Sequence, residues 1–385
     1  MIRFTTAGES HGEGIFVILE GIPAGLTVNS KDIDLELARR QKGYGRGQRM
    51  NIETDCVKIL SGVRYAKTVG SPITMYILNR DFKNWMHIMP TGLVDLDEMS
   101  LLKPRPGHAD LTGLMKFGLS DFRDILERAS ARETATRVAA GAVCKLLLKA
   151  FEISVMSYTV QIGNVFANMS SIKESEVLCK TEASHVRCPD LSASEKMVKL
   201  IKNVGRKGDT LGGKITIVVN NVPVGLGSHT QWDLKLDGRL AQSLVSIQAI
   251  KAVEFGAGTG LAALLGSFSH DEIFYNKLKG FYRNTNMAGG IEGGISNGEP
   301  IVITCTMKAI PSLGKPLRSV NLATKQSAKS EIIRSDVCAV PAAGIVAEAA
   351  IAIELAKALK EKFGGDCLED MKKNVNIYKE RLKAL

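Results

Sequence analysis

DFRDILERASARETATRVAAGAVCKLLLKAF, residues 121–151, is the stretch on which the fold class turns. Apolar residues recur at Phe122, Ile125, Leu126 and Ala129, then at Val138, Ala142 and Leu146. That is helical spacing held for about 25 residues or more. Small side chains dominate its middle, and they let another backbone or a ligand come close. The pattern predicts one long, buried helix over 121–151.

Working outward, short strand candidates stand between long helical stretches. Phe16–Glu20 ends at Gly21 and Pro23, and Ile73–Leu78, Ile215–Asn220 and Ile301–Met307 have the same character. A helix over Ile33–Gln41 can be capped by Asn29 or Ser30, with Asp32, Asp34 and Glu36 near its positive end. A second Ala-rich helix is expected over Leu236–Val253. A third, Ala342–Lys362, is stopped by Gly364 and Gly365, and an amphipathic helix over Asp370–Leu382 follows. The strict strand–helix alternation of a doubly wound sheet is missing. The expected class is α+β, as a single large domain over residues 1–385, since no Pro/Gly/Ser-rich linker divides the chain.

Composition narrows the function classes. A chain of 385 residues can bury a large core without disulfide staples. Its seven cysteines are scattered, odd in number and without a CxxC pair, which fits reduced thiols and a cytoplasmic setting. Cys179, His185 and Cys188 lie close in sequence, but their spacing matches no zinc knuckle, and no metal site is expected. The first residues, MIRFTTAGESHG, show no basic segment followed by an apolar run, so no signal peptide is expected. The most apolar stretch, Val337–Leu359, carries Glu348 and Glu354 and is read as a buried helix rather than a membrane span. The formal net charge of +10 raises nucleic acid as a partner, but aromatics at 5% are too few for a stacking platform. The arginines sit instead in short Gly-rich motifs spread along the chain, which suits a pocket for a small polyanion.

Six motifs can carry chemistry. In Gly8-Glu9-Ser10-His11-Gly12 a histidine able to exchange protons near neutral pH sits between glycines. Ser10 and His11 are adjacent and poorly placed as a nucleophile–base pair. Residues 39–49, RRQKGYGRGQR, hold five cations in eleven positions, among them Arg40, Arg46 and Arg49. Arginine offers a planar fork for carboxylate or phosphate. Pro104 and Pro106 stiffen the turn that carries Arg105 and His108. Arg128 and Arg132, four apart on the expected helix, would share a face and repel unless an anion or the flanking Glu127 and Glu133 compensate. Gly289-Gly290-Ile291-Glu292-Gly293-Gly294, with Lys308–Ser312 downstream, suggests backbone packed close to a ligand. Arg334-Ser335-Asp336 offers a cation, a hydroxyl and a carboxylate in one loop. Gly256-Ala257-Gly258-Thr259-Gly260 resembles a dinucleotide fingerprint, but its spacing is wrong and it follows an expected helix. A Rossmann reading is rejected.

Together these motifs resemble, in order and from about Ile2 to Leu359, the pattern of the chorismate synthases: GESHG, RRQxGYGRGxRM, RPGHAD, ERASARET, QWDxKLDxRLAQ, GGIEGG and RSD. The resemblance implies an unusual α+β fold in which sheets enclose a helical core, assembled as a homotetramer. It implies an anti-1,4-elimination of phosphate from 5-enolpyruvylshikimate-3-phosphate, with reduced FMN as a cofactor that is not consumed. NADPH is the implied reductant, directly or through a separate flavin reductase. By the same resemblance His11 supplies a proton to the leaving phosphate, His108 stands by the flavin, and Asp336 assists at its reactive nitrogen. Ser10, Arg40, Arg46, Arg49, Arg105, Arg132 and Arg334 would bind substrate. Ser130, Ala131, Arg132, Gln248, Ala249, Gly293, Lys308, Ala309, Ile310, Pro311, Ser312 and Arg334 would touch FMN. Val337 and Ala309 stand at backbone-shaping positions where many members have proline, so the resemblance leaves the loop geometry around Asp336 and the FMN phosphate open, and neither change removes a reactive group. A flavin oxidoreductase would differ by consuming reduced nicotinamide stoichiometrically, and a nucleic-acid binder by salt-sensitive affinity for oligonucleotides.

Overall fold

The computed structural model describes residues 1–47, 52–93, 100–278, 280–333 and 335–384. Two antiparallel sheets enclose a layer of helices. The first sheet runs in the order Arg3–Ala7, Gly14–Glu20, Ile73–Leu78, Val57–Ile59. The second runs Ile250–Phe255, Ile301–Met307, Gly213–Asn220, Ser154–Ile162, Val165–Phe166. Strand periodicity sets the faces: Ile15, Val17 and Leu19 point into the core, whereas Phe16 and Ile18 point out. The class is α+β.

Two helices form the centre. Thr134–Lys149 lies on the first sheet, Val340–Phe363 lies on the second, and the two pack against each other. Their approach depends on Gly141, where a Cβ would come within 2.4 Å of the Ala349 Cβ. Gly344 plays the same part toward the sheet, facing the Ser157 hydroxyl and Ile215. The shorter helices Ser30–Gln41 and Leu236–Val245 flank this pair. One contiguous buried cluster extends from Ile2 to Val375. Among the described residues no helix is long and apolar enough to cross a membrane.

The layer also buries a carboxylate. Glu348 is fully buried and bonded by Arg39, Lys145, Arg187 and the Ser157 hydroxyl. Burial alone would raise its pKa, but Lys145, Arg39 and Arg187 outweigh that and hold it at about 2.

Three expectations are corrected. The 121–151 stretch is not one helix: Arg123–Ala129 ends at Ser130, a 3₁₀ turn covers Ala131–Glu133, and Thr134–Lys149 follows. The Ser130 hydroxyl accepts the Arg132 N–H, so a side chain replaces the helical bond and starts a new segment. Leu236–Val253 likewise divides. The helix stops at Val245, Ala249 takes a left-handed φ of 68°, and Ile250–Phe255 becomes an edge strand beside Ile301–Met307. Sheet pairing there overrides local helix propensity. Gly256 therefore follows a strand, not a helix, but it leads into a short 3₁₀ turn over Gly258–Ala263. The dinucleotide motif still lacks its long helix.

Candidate active site

The break at Ser130 builds the first part of the site. It turns Arg132 inward, 5% exposed, while Arg128 points the other way and donates to the carbonyls of Thr6 and Gly8. The two arginines expected to repel on one face thus do not share one. Arg132 donates to Asp55 Oδ1 at 2.5 Å and to Asn79 Oδ1 at 2.8 Å. Arg40, from the last turn of Ser30–Gln41, is also buried, bonding Thr134 Oγ1, the Ala131 carbonyl and, at 3.4 Å, the same Asp55. One carboxylate therefore serves two guanidinium groups. Burial pulls the Arg40 pKa down to about 10; Arg46 and Arg132 push the same way, and Asp55 and Asp336 partly offset them. The group remains a cation at neutral pH, in a setting that a bound anion would relieve.

Beside these arginines stand Ser10 and His11. The Ser130 hydroxyl donates to the Ser10 hydroxyl at 3.1 Å, and His11 Nδ1 bonds the buried Glu127 carboxylate at 2.8 Å. The ring stacks on Trp85 at 3.9 Å between centroids. Arg46 pairs with Asp336 at 2.9 Å, and the Gly47 N–H donates to the other oxygen of that carboxylate at 2.6 Å. Arg49 and Arg334 lie outside the described residues.

The prolyl turn supplies the second histidine. Asp110 accepts three bonds from Arg105, from the side chain at 2.9 and 3.0 Å and from the backbone N–H at 3.0 Å, and a fourth from His108 Nδ1. Burial would raise the Asp110 pKa, but these bonds prevail and hold it at about 2, so it stays ionised. Arg105 also donates to Ser312 Oγ at 2.5 Å, and Lys308 Nζ donates to the Gly107 carbonyl at 2.7 Å. The turn is thus clamped to residues 308–312, whose Ile310 carbonyl accepts from Thr210. Ala309 follows the close approach of Gly212 to the Met307 carbonyl, and Val337 packs on Gly205.

A chain of contacts joins the two parts. Gln248 donates to Glu133, next to Arg132, and the Ala249 carbonyl accepts the Lys308 N–H at 2.9 Å. Gly293 is not brought into this group. Its turn has open space around the Cα and is tied through Gly294 to Leu236 and Lys235. Sequence reading missed Asp55, Asn79 and Trp85. None stands in a recognisable motif, and their partners are distant in the chain.

The family model for chorismate synthase matches residues 2–359. The chain belongs to the chorismate synthase family. It is 75% identical over 385 residues to the chorismate synthase of Endomicrobium trichonymphae, with all of both chains covered. It is 52% identical to that of Desulforamulus reducens over 387 residues, again with full coverage. A crystal structure of chorismate synthase superposes with a TM-score of 0.81 at 42% identity, covering 100% of this chain and 99% of that one. The chain is accordingly an enzyme, a carbon–oxygen lyase.

Proposed function

We propose that this enzyme converts 5-enolpyruvylshikimate-3-phosphate to chorismate by anti-1,4-elimination of phosphate at the site around Arg40, Arg132 and His11. The observation that carries the placement is the buried pair Arg40 and Arg132 meeting at the carboxylate of Asp55. The two desolvated guanidinium groups share Asp55, with Glu53 a second buried carboxylate 3.7 Å from Arg132, and they offer fork-shaped donors to a substrate with a phosphate and two carboxylates. Arg46 and Arg105, paired with Asp336 and Asp110, extend the arginine lining, and Ser10 supplies a hydroxyl. His11 delivers a proton to the departing phosphate, and His108, held by Asp110, would hold or pass a proton beside a bound flavin.

The residues fit reduced FMN as the cofactor. Gln248 Oε1 is buried with no hydrogen-bond partner among the described residues, an acceptor suited to a ring N–H. Ser130 and Ala131 lie on one side, and Lys308–Ser312 supply a cation and a hydroxyl on the other. Reduced FMN held here would supply electron density for the loss of phosphate without being consumed. Asp336 would accept a proton there, and its pairing with Arg46 fixes its direction. NADPH is the proposed source of reducing equivalents, directly or through a separate flavin reductase.

The enzyme is further proposed to be cytoplasmic, one domain per chain, and a homotetramer. The hairpin Ile273–Asn276 and Gly280–Arg283 exposes Ile273, Tyr275, Leu278 and Phe281, and a lone hairpin with an apolar face gains stability from a second copy.

Anaerobic titrations separate the two subsites. Gln248→Ala is expected to weaken reduced FMN binding roughly tenfold, the value of one buried hydrogen bond. Arg40→Ala is expected to weaken substrate instead. If Arg40→Ala costs flavin affinity and Gln248→Ala does not, the placement is wrong.

A further inference from the structure

We propose that Glu127 is the positioning residue for His11, fixing the tautomer and direction of the imidazole so that Nε2 is the atom presented to the leaving phosphate. This rests on the acid–base reading of His11 given above.

Three observations carry it. The Glu127 side chain is 1% exposed, and among the described residues its carboxylate bonds only to His11. Oε2 accepts the His11 backbone N–H at 2.7 Å, and the two oxygens lie 2.8 and 3.0 Å from Nδ1. A carboxylate buried without lysine or arginine is costly unless its lone pairs are satisfied, so the imidazole is what makes this burial tolerable. Trp85 closes one face of the ring, with the two planes 28° apart. The backbones are registered as well. The Ser10 N–H donates to the Glu127 carbonyl at 3.1 Å, and the Ser130 hydroxyl, three residues on, reaches Ser10.

The chemistry follows from donor inventory. An ionised carboxylate only accepts, so Nδ1 must carry a hydrogen whether the ring is neutral or charged. Proton exchange is thereby confined to Nε2. A glutamine at 127 can donate as well as accept, so the same shape would no longer enforce the tautomer.

The test is a double-mutant cycle of Glu127→Gln with His11→Asn, read by turnover with reduced FMN and by ¹⁵N-histidine NMR. The chain has six histidines, so the His11 signals are identified by their loss in His11→Asn. Glu127→Gln should lower kcat roughly 10²-fold, part of the roughly 10²–10⁴-fold that a placed acid–base group supplies, with KM little changed. It should cost nothing further in the His11→Asn background, and its His11 signals should leave the Nδ1–H tautomer. Additive losses, an unchanged kcat or an unchanged tautomer would each overturn the proposal. Wild-type turnover by His11→Asn alone would instead remove the acid–base reading, while the NMR arm would still decide whether Glu127 sets the tautomer. If Glu127→Gln does not fold, Glu127→Asp serves. It keeps the charge but draws it back by one methylene, so kcat should fall with the Nδ1–H tautomer retained, and an unchanged kcat contradicts the proposal.

Discussion

Arg40 shows how single residues store binding energy before any substrate arrives. Its depressed pKa means that burial and two neighbouring cations already strain the protonated form. An incoming phosphate or carboxylate removes that strain, and the interaction is worth most in a dry site. In the proposed reaction the histidines act on what the arginines hold. His11→Ala and His108→Ala are each expected to cut kcat by roughly 10²–10⁴-fold, measured as phosphate release at saturating substrate. Near-normal rates in both variants would remove their assignment as proton handlers. His11 and His108 were legible from sequence as candidates because each stands in a compact motif with glycine or proline. Asp55 was not. Its bond to Arg132 spans 77 residues, and nothing local to Asp55 marks it as the partner of two arginines.

At the scale of elements, periodicity served well where one element faces one layer. Ile73–Leu78 and Ile301–Met307 appear with the expected bounds, and the third helix extends only slightly beyond its expected ends, to Val340–Phe363. It failed where a hydrogen bond or a sheet edge overrode local pattern. The apolar spacing of 121–151 continues straight through Ser130, yet its hydroxyl takes the Arg132 amide and the helix restarts at Thr134. That break is what separates Arg128 from Arg132 and turns one of them into the site. At Ile250–Phe255 the edge of the second sheet claims residues that read as helix, and this places Gln248 and Ala249 at a turn where backbone and side chain reach Glu133 and Lys308. In both places the departure from the simple pattern lies at the site.

Across the whole molecule, the two sheets communicate through the helical layer and its buried charge. Glu348 joins the Val340–Phe363 helix to Arg39 of Ser30–Gln41, Lys145 of Thr134–Lys149 and Arg187. Arg39 adjoins Arg40, so the same cluster anchors the end of the helix that presents Arg40 to the site. Glu348→Gln should destabilise the enzyme by on the order of 3–5 kcal/mol near neutral pH, because it leaves buried cations short of a partner. Since the folded-state pKa lies below the ordinary value of 4.5, at about 2, the contribution is complete above about pH 4.5 and is lost as pH falls toward 2. Denaturant melts of wild type and variant should therefore show a constant gap at higher pH that narrows below about 4.5; a gap that does not narrow would mean that Glu348 is not held as the ionised partner of the three cations. The central claim is that the arginine-lined site expels phosphate without net redox change. The measurement that tests it most directly is an anaerobic reaction of the enzyme with 5-enolpyruvylshikimate-3-phosphate and substoichiometric, chemically reduced FMN, following phosphate and chorismate together. Equal release of both over many turnovers per flavin is the predicted result. Product limited to one equivalent per reduced flavin, or phosphate released without chorismate, would contradict it.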